Sequence, residues 1–283
     1  MSLPSAAELL RRYGLQAKKG FGQNFLTDRN VTAKIAAAIH DEATPIPSGT
    51  VLEIGPGLGA LTSALLGVCE RVIAIERDPD MVRVLETEFE YACAAHALAL
   101  HHADALTLDW GELLAATPPP HAVVGNLPYL VTGRFLERAV ELAERVPRIV
   151  FMVQKEVGER LLAPPGTKEY GALTVFVSAS FQVSRVMHVK SGAFLPKPNV
   201  DSTVVRLERR GERVIETPTF RALVRTAFGQ RRKTLRNAWS SSHFGAELIA
   251  RASDAAAIDL TRRGETLSLE DFRRVEVELD RLR

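Results

Sequence analysis

Residues 51–59, VLEIGPGLG, form the stretch of sequence that decides the fold. The apolar run VLEI predicts a short buried strand, the glycines after it predict a tight turn, and ALTSALL at residues 60–66 predicts a helix. Glycine adopts positive φ without strain and lets a ligand approach the backbone closely. The first N–H groups of a helix are also free to bind a ligand. The stretch therefore predicts a strand–turn–helix unit with a ligand site at its turn.

The alternation of strands and helices continues along most of the chain. Further strands are predicted by apolar or β-branched runs at residues 71–76, 98–103, 121–126, 148–153, 172–181 and 203–207. Helices are predicted between them at residues 79–91, 110–116, 132–145 and 154–162. This alternation is typical of a mostly parallel α/β sheet, here of seven strands. Ahead of the sheet we expect a helix at residues 30–40, with Asn30 as its cap, and a loop at residues 44–49.

The C-terminal quarter of the chain has a different pattern. Strand-like runs stop after Glu208, and helices are predicted at residues 218–240, 244–252 and 268–280. The polar segment at residues 208–214 contains a glycine and is typical of a domain boundary. We therefore expect an α/β domain at residues 1–210 and a small all-helical domain at residues 211–283.

The composition of the 283-residue chain is that of a globular protein, with 46% hydrophobic and 25% charged residues. Its two cysteines exclude a disulfide framework and a four-thiolate metal site. The seven histidines form no metal-ligand pattern, so we expect no metal. No run of 18 apolar residues is present, and the N-terminus lacks the apolar segment of a signal peptide. We expect a cytoplasmic protein, monomeric by default, that does not enter a membrane.

The net charge of +2 conceals two basic regions. Residues 11–34 hold six basic residues and one acidic residue, and residues 206–236 hold ten basic and three acidic residues. The rest of the chain is therefore net acidic. Two basic regions on an acidic body are typical of a protein that binds a polyanion such as nucleic acid. Solvated helix faces would give the same charges, so charge alone leaves both explanations open.

Two acidic residues lie where a nucleoside ligand would use them. Glu76 ends the second predicted strand, and an acid at this position of a doubly wound sheet accepts hydrogen bonds from a ribose diol. Glu53 lies two residues before the first glycine of the turn, where its charge would repel a pyrophosphate and suit a cationic ligand. The spacing G-x-G-x-G also differs from the G-x-G-x-x-G of nicotinamide dinucleotide enzymes, which makes an oxidoreductase the weaker hypothesis.

The most informative tetrapeptide is Asn126, Leu127, Pro128 and Tyr129, which follows the fourth predicted strand. One reaction that such a tetrapeptide can serve is methylation of the N6 amino group of adenine. This amino group is a poor nucleophile because its lone pair is delocalised into the ring. The Asn126 side-chain carbonyl and the Leu127 backbone carbonyl can accept its hydrogens and favour a tetrahedral nitrogen. Pro128 stiffens the turn, and Tyr129 can stack on an extruded base. A plain turn would also favour Asn and Pro, but the position after this strand favours the chemical role.

These motifs resemble those of the ribosomal RNA adenine N6,N6-dimethyltransferases. EIGPGLG at residues 53–59 resembles the first motif of class I S-adenosylmethionine-dependent methyltransferases, and NLPY resembles the N-[IL]-P-[YF] form of the adenine-N6 signature. The resemblance covers nearly the whole chain, through the motifs FGQNFL at 21–26, QKEV at 154–157, FLPKPNVDS at 194–202 and FGQRRKTL at 228–235. It implies a Rossmann-like class I methyltransferase domain, S-adenosyl-L-methionine as methyl donor, and a helical RNA-binding domain.

The resemblance also implies roles for individual residues. The cofactor site is expected to include Gln23, Asn24, Leu26, Glu53, Gly55, Gly57, Glu76, Asp104 and Asn126. The catalytic residues that face the target adenine are expected to be Asn126, Leu127, Pro128, Tyr129 and Phe194. Phe194 would pack on the adenine face opposite Tyr129. The chain departs from the family pattern at VKSG, residues 189–192, where the family often has Pro-Pro, and at Gly264, where Ala is usual.

The implied substrate is 16S rRNA in the small ribosomal subunit or its precursor, dimethylated at two adjacent adenosines near its 3′ end during ribosome biogenesis. Phosphate contacts are expected from the basic cluster Arg231, Arg232, Lys233 and Arg236. The FGQRRKTL motif favours the small-subunit branch over the related methyltransferases of large-subunit rRNA. A large-subunit enzyme remains an alternative. A non-catalytic assembly factor on the same fold is another, although Asn126, Tyr129 and the glycines, which such a factor could lose, are present.

Overall fold

The structure, a computed structural model, describes residues 3–40, 49–212, 214–240 and 243–283. The chain divides into two compact units, of which the first is Met1–Gly158 with Val183–Arg209 and the second is Glu159–Gln182 with Arg210–Arg283. The second unit therefore contains a segment that the sequence-based division places in the first domain. The reason is packing, since Tyr170, Val175 and Ala179 are buried in the apolar cluster of the C-terminal helices. Of the loop predicted at residues 44–49, all but the last position lies outside the described residues.

The described residues form nine strands: β1 (Phe25–Leu26), β2 (Thr50–Ile54), β3 (Arg71–Glu76), β4 (Leu98–His102), β5 (His121–Asn126), β6 (Arg148–Gln154), β7 (Phe181–Val189), β8 (Phe194–Leu195) and β9 (Ser202–Arg209). Seven of them form one sheet in the order β4-β3-β2-β5-β6-β9-β7, and β1 pairs with β8 in a separate antiparallel ribbon. Neighbouring strands from β4 to β6 are parallel, whereas β9 is antiparallel to β6. The predicted seven-stranded α/β sheet is confirmed.

The order of the parallel strands positions the site. The chain moves outward from β2 to β3 and β4, and then crosses to β5 and β6 on the other side of β2. At such a switch point the loops after neighbouring strands diverge and leave a crevice at the carboxyl edge of the sheet. Strands β2, β5 and β6 are buried almost along their whole length, because helices cover both faces of a parallel sheet. This accounts for their nearly continuous apolar runs.

The described residues form thirteen α-helices: α1 (Ala6–Arg12), α2 (Arg29–Ala37), α3 (Ala60–Leu65), α4 (Pro79–Glu88), α5 (Glu90–Ala94), α6 (Trp110–Ala115), α7 (Thr132–Glu141), α8 (Lys155–Leu162), α9 (Ala172–Ser180), α10 (Pro218–Gly229), α11 (Leu235–Ser240), α12 (Ala246–Ala255) and α13 (Leu269–Arg281). None of the helices in this described part is long and apolar enough to cross a membrane. The predicted Asn30 cap of α2 is wrong. Asp28 caps this helix, and its carboxylate accepts the N–H groups of Asn30 and Val31.

The strand predicted at residues 172–181 is also wrong. Residues Ala172–Ser180 form α9, and the strand follows as β7. Valine, threonine and phenylalanine favour strands on average, but tertiary packing overrides that preference. Much of α9 is buried, so its sequence lacks the polar face that would reveal a helical period. Its first turn is held by Thr174, whose hydroxyl accepts the Gly171 N–H and donates to the Arg160 carbonyl.

The helix predicted at residues 218–240 is divided into α10 and α11. A turn separates the two helices, with the Lys233 N–H donating to the Gln230 carbonyl. The N–H groups of Leu235 and Arg236 then donate to the carbonyls of Arg262 and Leu260, so they do not continue the α10 ladder. The apolar core of this second unit is built around Trp239, whose indole N–H donates to the Leu223 carbonyl at 2.9 Å.

Candidate functional site

A cavity of about 440 Å³ lies at the carboxyl ends of β2 to β6 in the first unit, a volume within the range of small-molecule sites. The cavity is lined by all the cofactor residues predicted from the sequence, namely Gln23, Asn24, Leu26, Glu53, Gly55, Gly57, Glu76, Asp104 and Asn126. Leu127, Pro128 and Tyr129 line it as well. Residues from five separate loops therefore meet at one place, as the strand order requires.

The turn between β2 and α3 depends on glycine. Gly55, Gly57 and Gly59 have φ angles of 66°, 58° and 83°, a region that disfavours other residues. A Cβ atom on Gly57 would lie 3.1 Å from the Phe25 ring, and one on Gly59 would lie 2.4 Å from the Phe89 ring. The turn is thus packed closely against the rings of Phe25 and Phe89, and the backbone of Gly55 and Gly57 lines the cavity.

Glu76 connects this turn to the end of β3. Its Oε2 accepts the Gly57 N–H at 3.0 Å, and its Oε1 accepts the N–H groups of Arg77 and Asp78 at 2.8 Å. Burial raises the pKa of the Glu76 carboxyl, and the three N–H donors oppose the rise. A carboxylate has about four lone-pair sites, so these three bonds leave one acceptor site, on Oε2. The geometry suits a ligand hydroxyl that enters from the cavity.

Asp104 follows β4 on the next side of the cavity. Its Oδ1 accepts the Leu106 N–H at 2.9 Å, and its Oδ2 lies 3.5 Å from the Arg77 guanidinium. That guanidinium in turn lies over the Phe21 ring, 4.7 Å from its centre. Asp104 could instead have served as the N-terminal cap of α6, but Asp109 caps that helix. Asp104 lies at the cavity wall.

Asn126 is oriented by the N-terminal segment. Its Nδ2 donates to the Asn24 carbonyl at 3.2 Å. A carbonyl oxygen can only accept, so this bond identifies the amide nitrogen and leaves the side-chain oxygen as the other polar atom in the cavity wall. The next residue, Leu127, donates its N–H to the Met152 carbonyl and is thereby held to the end of β6.

The ring of Tyr129 is held at its hydroxyl end. The hydroxyl lies 3.1 Å from the Ser202 Oγ, and Ser202 is completely buried at the start of β9. Ser202 ends the FLPKPNVDS motif, but no site role was predicted for it from the sequence. Its contact with Tyr129 joins residues 73 positions apart, and local sequence carries no signal for it.

The N-terminal segment forms one wall of the cavity through Gln23. Its Oε1 accepts the Lys18 N–H, and its Nε2 donates to Asp78 at 2.6 Å. The Lys18 ammonium also pairs with Asp78 and Asp80. Both ends of the Gln23 amide are therefore engaged within the protein, and Gln23 supports the wall of the cavity.

Phe194 does not line the cavity. It is 4% exposed, belongs to the main apolar core, and pairs with Leu26 across the β1–β8 ribbon. Its stacking on a target base stays a prediction that this geometry does not support. Phe21, which begins the FGQNFL motif, lines the cavity, as do Arg77 and Gln154, for which the sequence predicted no place in the cofactor site. Gln154 could have been found from its place at the carboxyl end of a central parallel strand.

The predicted RNA-contact cluster separates into two kinds of residue. Arg231 binds other residues of the second unit. Its guanidinium donates to Glu265 at 2.9 Å and to the carbonyls of Lys168 and Tyr170. Arg232, Lys233 and Arg236 are exposed and have no ion-pair partner among the described residues. No group of three or more His, Cys, Asp and Glu side chains in the described ranges could hold a metal ion.

The fold and the cavity define a class I methyltransferase, with the glycine turn after the first parallel strand and an acid at the end of the second. A family model described as ribosomal RNA adenine dimethylase matches residues 14–279. The chain is 43% identical over 284 residues to the ribosomal RNA small subunit methyltransferase A of Anaeromyxobacter sp. strain K, covering 96% of this chain and 97% of that protein. The chain therefore belongs to the ribosomal RNA adenine dimethylase family.

Solved structures agree with this assignment. The 23S rRNA methyltransferase ErmE superposes with a TM-score of 0.66 at 27% identity, over 91% of this chain and all of that chain. A dimethyladenosine transferase from Plasmodium falciparum gives a TM-score of 0.77 at 24% identity, over 91% and 98% of the two chains, and supports the fold. The family resemblance inferred from the motifs is confirmed.

Glu53 is buried beneath the glycine turn, with 1% exposure, and its Oε2 accepts the Thr62 hydroxyl at 2.7 Å. Burial raises the pKa of this carboxyl to about 8. The negative charge by which Glu53 was expected to suit a cationic ligand is therefore not its resting state. Near neutral pH the carboxyl holds its proton unless a cation lies beside it.

This pKa predicts a specific pH dependence of stability. The folded protein binds the Glu53 proton more tightly than the unfolded chain, so this contribution is complete below about pH 4.5 and is lost as the pH rises to about 8. Relative to a Glu53→Gln variant, the wild type should lose up to about 1.4 kcal/mol of unfolding free energy per pH unit within that window. Urea unfolding from about pH 5 to 9 measures this difference, and parallel pH profiles would contradict it.

Proposed function

We propose that this protein uses S-adenosyl-L-methionine to dimethylate N6 of two adjacent adenosines near the 3′ end of 16S rRNA, in the small ribosomal subunit or its precursor. The observation that carries the proposal is that Glu76, Asn126 and Tyr129 line one cavity. Methylation of an adenine amine by this cofactor calls for three groups in one place. Glu76 offers an acceptor for a ribose hydroxyl, Asn126 an acceptor for the amine, and Tyr129 an aromatic ring for the base. The small-subunit name of the 43% identical relative supports the choice of RNA.

The residues present fit the proposed cofactor. The acceptor site left on Glu76 suits a ribose hydroxyl, and Asp104 at the cavity wall suits the amino group of an adenine. The positive-φ glycines bring the backbone to the cavity, and Glu53 below them can become an anion when a cation approaches. When bound, S-adenosylmethionine supplies a methyl group activated by its positively charged sulfur.

The chain's own contribution to the reaction is positioning. The Asn126 side-chain oxygen and the Leu127 carbonyl accept hydrogen bonds from the target amine and favour a nucleophilic nitrogen. The Tyr129 ring, held at its hydroxyl by Ser202, offers a stacking surface for the extruded base. Because the target amine and the methyl donor are bound in line, the entropy of bringing them together is lost on binding and not in the methyl-transfer step. The amine proton can leave to water, so no protein base is needed.

The second unit is proposed to bind the RNA backbone. Arg232, Lys233 and Arg236 are exposed cations that form no salt bridge among the described residues, and exposed cations can pair with phosphates. We further propose that the protein acts as a monomer in the cytoplasm without a metal. This rests on the location of every cavity residue in one unit of one chain, and on a transfer reaction that needs no Lewis acid.

Transfer of labelled methyl groups to unmethylated small ribosomal subunits tests the proposal, with large-subunit rRNA assayed in parallel and the products digested to nucleosides. We expect N6,N6-dimethyladenosine from the small subunit alone. Dimethyladenosine from the large-subunit RNA would contradict the proposed substrate. Cofactor binding without transfer to either RNA would instead favour the non-catalytic assembly factor.

The assigned roles of Glu76 and Asn126 predict different defects. Glu76→Ala removes the ribose acceptor and releases the Gly57 N–H, so it should weaken cofactor binding by about tenfold or more. Asn126→Ala should abolish methyl transfer with a smaller loss of cofactor affinity, because its side-chain oxygen acts on the amine. Calorimetric titration of the cofactor and single-turnover transfer rates measure both effects. Equal losses of affinity in the two variants would refute the division of roles.

The basic cluster predicts a matched pair of variants. Replacing both Arg232 and Lys233 with Ala should weaken binding to small subunits and reduce the slope of log affinity against log salt by about 1 to 2, without lowering the unfolding midpoint. Arg231→Ala should lower the unfolding midpoint, because Glu265 and the carbonyls of Lys168 and Tyr170 lose their donor. An unchanged salt slope in the double variant would overturn the phosphate-binding assignment.

A further inference from the structure

Leu130 is the most exposed large apolar residue in the described part of the chain, at 96% exposure. It directly follows Tyr129 and also lines the cavity. A single exposed leucine is common on protein surfaces, so the position of Leu130 beside the cavity is what distinguishes it. Leu130 lies next to the residue that is proposed to stack on the target base, and its side chain is left to solvent.

The turn that presents Leu130 is well supported. The Val131 N–H donates to the Pro128 carbonyl at 3.2 Å, and the Thr132 hydroxyl donates to the same carbonyl at 3.1 Å. The Tyr129 hydroxyl is bonded to buried Ser202. Helix α7 begins directly after the turn, at Thr132. Leu130 therefore lies in a turn whose conformation is fixed by hydrogen bonds, and this turn can keep its shape when a ligand binds.

Two exposed cations lie on segments that, like Leu130, border the cavity. Arg134 is exposed on the first turn of α7, four residues after Leu130. Lys19 is exposed on the N-terminal segment, next to Gly20 of the cavity lining. Neither cation has an ion-pair partner among the described residues. An exposed apolar side chain at a cavity whose bordering segments carry exposed cations is complementary to a nucleotide strand, whose bases are apolar on their faces and whose phosphates are anionic.

A stacked adenosine must leave its neighbours before its amine can enter the cavity. Unstacking and unpairing a base costs about a few kcal/mol, and the vacated space must be filled or it closes again. Proteins that distort nucleic acids insert leucine, isoleucine, phenylalanine or methionine side chains between bases for this purpose. Leu130 has the chemistry, the exposure and the position at the cavity to do the same.

We propose that Leu130 is a wedge that fills the stacking space vacated by the target adenosine and covers the face of the neighbouring base, while Lys19 and Arg134 bind the flanking phosphates. The inference rests on the proposed function and adds a positioning residue to it. Leu130 contacts the RNA beside the reacting base, and it takes no part in the methyl transfer itself.

The test compares Leu130→Ala with wild type on two substrates. The first is the small subunit reconstituted with unmodified 16S rRNA, and the second carries an abasic nucleotide beside the target, which removes the stacking partner. We expect Leu130→Ala to lower kcat/KM by about tenfold or more on the first substrate and by less than about twofold on the second. Leu130→Met keeps an apolar wedge and should retain most activity, and cofactor affinity should be unchanged in both variants.

Tyr91→Ala is the matched control, because Tyr91 is 83% exposed in the same unit and does not line the cavity. Substituting the target adenine by 2-aminopurine reports extrusion directly, since its fluorescence rises on unstacking. The rise should be reduced in Leu130→Ala and unchanged in Tyr91→Ala. Equal losses of activity on both substrates, or no loss on either, would overturn the wedge. Failure of the wild type on the unmodified subunit would instead refute the proposed function.

Discussion

The Glu76 carboxylate joins the two loops on which the site depends. One oxygen accepts the Gly57 N–H of the glycine turn, and the other accepts the N–H groups of Arg77 and Asp78, which lead into α4. The parallel register of β2 and β3 brings these loops within reach, with Ile54 opposite Ile75. A buried carboxylate is costly without such donors. The arrangement therefore holds the turn, the acid and the start of a helix in one geometry before a ligand arrives.

The strand order extends this arrangement to the Asn126 turn, which is proposed to act on the target amine. Because β5 lies on the other side of β2, the Asn126 turn faces the loops of β3 and β4 across the crevice. The N-terminal segment completes the cavity through two anchors, the Asn126–Asn24 bond and the Gln23–Asp78 bond. A residue of the N-terminal segment thus orients the amide that is proposed to act on the target amine. The proposed cofactor site and the proposed base site therefore share the wall that the N-terminal segment forms.

Sequence predicted most of the fold because the parallel strands are buried on both faces, and their apolar runs are unmistakable. The prediction failed at α9, where burial hides the helical period. It also failed between α10 and α11, where backbone N–H groups donate to carbonyls distant in sequence and do not continue one helix. In the site, the residues that follow parallel strands could be predicted, since topology alone brings them together. The Ser202 support of Tyr129 and the inward bonds of Arg231 could not, because both depend on contacts between residues far apart in sequence.

The measurement that tests the account most directly is a calorimetric comparison of S-adenosylmethionine with an analogue that lacks both ribose hydroxyls, in wild type and in Glu76→Gln. The account predicts that loss of the hydroxyls weakens binding to the wild type by about tenfold or more, because a hydrogen bond to a charged acceptor is lost. It predicts a much smaller loss in the variant. The same loss in both proteins would contradict the role of Glu76 as the ribose acceptor, and with it the assignment of the cavity as the cofactor site.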